Sequence, residues 1–74
     1  MTSNLRYAIV IESGERNFGA YVPDLPGCVA VGDTFDETMR EMREAIEFHI
    51  EGMREDGLEV PVPSSRVAYV RVKA

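Results

Sequence analysis

The side chains with chemical potential are few: one histidine, one cysteine and thirteen carboxylates in 74 residues. His49 could serve as a metal ligand or a base, but either role needs a companion at ligand spacing. On a helix its neighbours Glu47 and Glu51 point elsewhere. Cys28 could be a nucleophilic thiol, yet no histidine stands near it in sequence to make the thiolate, and a small apolar strand residue accounts for it. Asp24 and Asp33 fall in turn segments, where aspartate is favoured for local hydrogen bonds. No catalytic set, metal site or cofactor motif emerges, and the chain reads as a binding protein and not an enzyme.

The elements that would position these residues are organised around Pro23 to Glu37, PDLPGCVAVGDTFDE. Pro23 and Pro26 fix φ and push the residues before them out of the helical region. Gly27 directly after Pro26 marks a tight turn with positive φ. Thr34 and Glu37 form a capping box that opens a helix over about residues 35–56. Gly57 fits the left-handed position that ends it.

Residues 1–4 are polar and read as a frayed start. Strands are expected at about 5–12, 18–22, 28–31 and 66–72 from their β-branched and aromatic content. Residues 58–65 (LEVPVPSS) read as an extended connector, since alternating prolines exclude a central strand. On the helix, Phe35, Met39, Met42, Ile46, Ile50 and Met53 fall within one arc and are expected to be its buried stripe, with His49 at the border. Glutamates occupy the opposite side, with Phe48 among them.

The resulting order is β-β-β-α-β, one α+β domain over residues 1–74. A meander of three strands and a right-handed crossover predict a four-stranded sheet of order 3-2-1-4 with the helix on one face. One helix cannot cover both faces, so the other keeps apolar and aromatic side chains in search of a contact. A chain this short buries only roughly 60% of its unfolded surface, and an edge strand lies open. A homodimer or higher oligomer is therefore expected.

Eight basic against thirteen acidic residues give a net charge of −5, which argues against a phosphate backbone as the main partner. Eight acids and three arginines between Phe35 and Asp56 account for that whole imbalance. No apolar run is long enough for a membrane span, no signal-peptide pattern opens the chain, and a lone cysteine fits a reducing compartment. Cytoplasmic location is the expectation.

Four strings carry a family resemblance: Tyr21-Val22-Pro23-Asp24-Leu25-Pro26-Gly27-Cys28, then Gly32-Asp33-Thr34, then Glu44-Ala45-Ile46, then Gly57-Leu58-Glu59-Val60-Pro61-Val62-Pro63. Together, from about Tyr7 to Val72, they resemble the HicB-type antitoxins of bacteria and archaea. The resemblance implies a truncated RNase H-like fold and a role in binding and blocking a small basic mRNA-cleaving toxin of HicA type. Many members of the family add a C-terminal DNA-binding module. The sequence given stops at Ala74, one strand past the connector, so direct DNA binding is not expected of it. A solitary family member with no toxin, acting as an oligomeric interaction domain, remains the alternative. A residual nuclease is a third reading, but it needs several carboxylates converging on two metals, and the first strand has no acid in its interior.

The candidate partner or oligomer contacts are Tyr21, Asp24, Leu25, Pro26, Gly27, Phe48 and Tyr69. Tyr21 and Tyr69 belong to strands of the face the helix leaves bare. Phe48, a large ring amid glutamates, has no place in the core. The corner Asp24–Gly27 fits either architecture or partner contact.

Overall fold

The structure is a computed structural model that describes residues 5–74; the expected fraying of residues 1–4 lies outside that range. Three strands, β1 (Val10–Ser13), β2 (Phe18–Tyr21) and β3 (Val29–Gly32), form an antiparallel sheet of order β1-β2-β3, followed by α1 (Phe35–Glu55). β1 and β2 are shorter than their sequence signatures and β3 is shifted by one residue, and the corner bears on both. Val10 pairs with Tyr21, so the next ladder position would join Ile9 to Val22. The Val22 amide points to the other neighbour, donating to the Cys28 carbonyl at 3.2 Å, and Pro23, next in line toward β1, has no N–H to offer. Cys28 is held in the same turn, its amide on the Leu25 carbonyl at 3.1 Å, so β3 begins one residue later than expected.

The sheet's fourth strand is not formed. Residues 66–72, expected to add it beside β1, have no ladder partner and are exposed throughout, and the described sheet has three strands. An alternating apolar pattern gives a segment strand character but names no neighbour for it.

The helix is bounded as its sequence dictates. Thr34 is the N-cap in an extended conformation, and its Oγ accepts the Glu37 amide at 3.1 Å. Only this half of the expected capping box is made among the described residues. At the other end Gly57 has φ +72°, its amide donates to the Arg54 carbonyl, and the Leu58 amide donates to the Met53 carbonyl at 2.8 Å. That pair of bonds satisfies carbonyls the last turn would leave orphaned.

The core consists of Ala20, Val22, Leu25, Cys28 and Met42, with Tyr7, Ile9, Ile11, Ala30, Ala45, Ile46 and Ile50 packed around it. The helix is rotated relative to the expected stripe. Thr38 and Met42 are fully buried, whereas Phe35 is exposed and Met39 lies at the margin of exposure. Thr38 can occupy a central position because its hydroxyl donates to the Thr34 carbonyl at 2.7 Å and leaves no bare polar atom. Facing it, Gly32 lets β3 approach closely: a Cβ there would stand 2.5 Å from Thr38 Oγ and 2.8 Å from its amide nitrogen.

Candidate protein interface

Three features of the surface stand ready for contact. The first is the corner itself. Leu25 points inward with no exposed surface, so its side chain belongs to the core and is withdrawn from the expected partner contacts. Pro26 and Gly27 are exposed at the tip, and Gly27 has φ +85°, the positive value its place after Pro26 predicts. Asp24 is half-buried and already engaged. Its Oδ2 accepts the amides of Ser64 and Ser65, each at 2.9 Å, and its Oδ1 accepts the hydroxyls of Ser64 at 3.1 Å and Ser65 at 2.7 Å. These donors, the Ser65 amide foremost, hold the carboxyl well below its usual range, at about 2. The Asp24 side chain is thus a clamp on the connector, with both of its oxygens already engaged.

Tyr7 supplies the second tie. Its hydroxyl donates to the Pro61 carbonyl at 2.6 Å, and burial, then the Asp24 charge, raise its pKa. Sequence reasoning missed Tyr7, Ser64 and Ser65. The available signal was the Ser-Ser pair, two residues with four donors, directly after the last proline of the connector.

The second surface is the sheet face turned away from α1. The rows Val10–Tyr21–Val29 and Glu12–Gly19–Val31 lie across it in register. Tyr21 is exposed there as expected, and Val29 and Val31, each 62% exposed, enlarge the apolar area beyond the residues singled out in the sequence.

The third is the acidic face of α1. Glu41, Glu44, Glu47, Glu51 and Glu55 are exposed, and Phe48 among them keeps 79% of its surface in solvent. His49 is half-buried at the margin. Tyr69 does not share a face with Tyr21: it lies in the free C-terminal segment and is 93% exposed. Cys28 is buried, and burial pushes its thiol pKa up, away from thiolate chemistry. Among the described residues no three of His, Cys, Asp and Glu converge as metal ligands, and no helix is long and apolar enough to cross a membrane.

Residues 7–73 match the family model for the HicB-like antitoxin of bacterial toxin–antitoxin systems. This chain belongs to that HicB-like family. Antitoxin HicB 2 of Photorhabdus laumondii is 32% identical over 75 residues, spanning all of this chain and 54% of the relative. A 14.9 kDa protein from the rep-hol intergenic region of Haemophilus phage HP1 is 45% identical over 64 residues, 86% of this chain and 48% of the relative. The chain therefore spans about half the length of these two relatives. A chain of the HicA3 and HicB3 toxin–antitoxin complex superimposes with a TM-score of 0.70 at 33% identity, over 81% of this chain and 70% of that one. The HicB-like unit described here is thus the three-stranded sheet, the capped helix and the clamped connector.

Proposed function

We propose that this HicB-like chain acts as an antitoxin, binding a small basic mRNA-cleaving toxin of HicA type and blocking it by occlusion. The observation that carries the reading is the concentration of acids on α1, which gives a HicB-like scaffold one strongly negative face. A basic RNA-binding toxin presents the complementary sign, and such complementarity sets partner choice and speeds encounter. Phe48 would supply the apolar anchor within that face, since aromatic side chains are enriched at protein interfaces relative to the rest of the surface. Asp24 holds the connector in place and so steadies the corner, whose exposed tip, Pro26-Gly27, would be a further place of contact.

In this reading the fold is a truncated RNase H-like domain without catalytic function, working in the cytoplasm. Its net charge of −5 disfavours direct DNA contact by this domain, and it self-associates as a homodimer or higher oligomer through surfaces apart from the acidic face. Co-expression with a HicA-type toxin tests it. Growth should be rescued by the native chain, and rescue should weaken when Phe48→Ala is combined with Glu44→Lys and Glu51→Lys. Undiminished rescue by that triple variant would sink the role assigned to α1. Failure of rescue by the native chain against every HicA-type toxin tried would favour a solitary interaction domain, a reading the bare sheet face with Tyr21, Val29 and Val31 also supports.

A further inference from the structure

Gly27, Gly57 and Gly32 each have a reason inside the domain: the first two sit at positive φ, and the third makes room for Thr38. Gly19, in the central strand β2, has neither reason. Its φ lies outside the positive region, and among the described residues nothing stands within 4 Å of the Cβ it lacks. Both ladders run through it unbroken, Glu12 to Gly19 and Gly19 to Val31, so it marks no bulge. Glycine forms strands poorly and weakens a strand interior. Where backbone and neighbours do not require it, the remaining physical reason is close approach of a group from outside.

The notch left by Gly19 opens on the sheet face away from α1. Glu12 and Val31 flank it from the neighbouring strands, two strand spacings or about 9–10 Å apart. Tyr21 follows two residues along β2 and is the diagonal neighbour of Glu12, about 7–8 Å away. Val29 and Val31 are exposed and extend an apolar floor. Across the rows Val10–Tyr21–Val29 and Glu12–Gly19–Val31, Glu12 alone is charged.

We propose that this notch receives an arginine side chain of a basic partner protein, its aliphatic stem over Gly19 and Val31 and its guanidinium between the Glu12 carboxylate and the Tyr21 ring. An unbranched apolar stem needs the space that a Cβ at position 19 would occupy. A guanidinium stacks on an aromatic face and donates two parallel N–H bonds to a carboxylate, which the compact ammonium of lysine cannot do. The sign agrees, since a cationic partner approaches a chain of net charge −5. A second copy of this chain carries the same −5 and is repelled as a whole. The platform lies across the sheet from α1, so this contact is separate from the one proposed for the acidic helix and does not rest on it.

The test uses the full chain, isotope-labelled, and the peptide acetyl-Leu-Arg-Leu-amide, with its citrulline counterpart as a neutral probe of the same shape. The arginine peptide should bind with a dissociation constant of millimolar order, and the largest shifts should fall on the Glu12, Gly19 and Val31 amides and the Tyr21 ring. The citrulline peptide should bind at least about tenfold more weakly. Gly19→Val fills the notch with a residue that favours strands, so it should not lower the urea midpoint, yet it should weaken the arginine peptide at least about tenfold. Glu12→Gln should weaken it too and remove most of the salt dependence. Shifts centred on the α1 glutamates overturn the proposal, as does the lack of any saturable shift. Undiminished binding by Gly19→Val does the same. Shifts at Gly19 that follow protein concentration without peptide would make the occupant a second copy and overturn it likewise.

Discussion

The Asp24 carboxylate holds Ser65 by both of its donors, the amide on Oδ2 at 2.9 Å and the hydroxyl on Oδ1 at 2.7 Å. A residue of the corner after β2 is thereby tied to one 41 positions later, and the connector is laid across the domain without any secondary structure of its own. With Ser64 donating to the same two oxygens, the carboxylate has little capacity left for an external ligand.

The clamp is a charged acceptor, so it responds to acid. Its folded pKa, about 2, lies below the ordinary carboxylate value of 3.8, so its contribution is complete above the latter and lost as pH falls through the former. Amide shifts and exchange rates of Ser64 and Ser65, followed from pH 5 downwards, should report release between about 4 and 2. Asp24→Asn should show weakened protection at neutral pH and no such titration. Unchanged protection in Asp24→Asn would mean that the connector is held by something else.

The close approach of β3 to α1 makes Gly32 sensitive. Gly32→Ala must push its methyl against Thr38 backbone, which cannot swing aside, and should cost about 1–3 kcal/mol in urea unfolding. Gly19→Ala is the control: nothing lies within 4 Å of a Cβ there, so its effect should stay within about 0.5 kcal/mol. Equal losses at both sites would remove the steric reason.

Rotation of the helix makes a contrast between two methionines. Met42→Ala empties a fully buried position and should destabilise by about 2–5 kcal/mol, while Met39→Ala, at the margin of exposure, should cost markedly less. Thermal or chemical denaturation of the pair reads the helix phase directly.

The helix stop should behave as a backbone effect. Gly57→Ala puts a Cβ on a residue at φ +72° and should cost about 1–2 kcal/mol although no atom lies near the new methyl. A neutral result would indicate that the C-terminal turn rearranges.

The corner, the N-cap, the stop glycine and, to within a residue, β2 and β3 were legible because each rests on a local signal: proline spacing, a capping threonine, glycine where φ is positive. The helix phase was harder. Apolar periodicity drew attention to Phe35 and Met39, but Thr38 packs centrally because a neighbouring carbonyl satisfies its hydroxyl, and Gly32 opposite makes room for it. The clamp was invisible since Asp24 and Ser65 are distant in sequence and both residue types suit any turn. For the last segment the alternation of Val67, Tyr69, Val70 and Val72 signalled a strand without revealing what it joins. Leu25, surrounded by turn residues, looked like part of an exposed tip, and only the inward fold of the corner places it in the core.

The sheet order repeats the chain order, and this bears on how the protein is made. Among the described residues every ladder joins a strand to its immediate successor, and α1 follows at once, so the regular elements end at Glu55. Pairings of such short span close quickly. The ties of the connector, Tyr7 to Pro61 and Asp24 to Ser64 and Ser65, span 54, 40 and 41 positions, so they close over a sheet and helix whose own contacts are local.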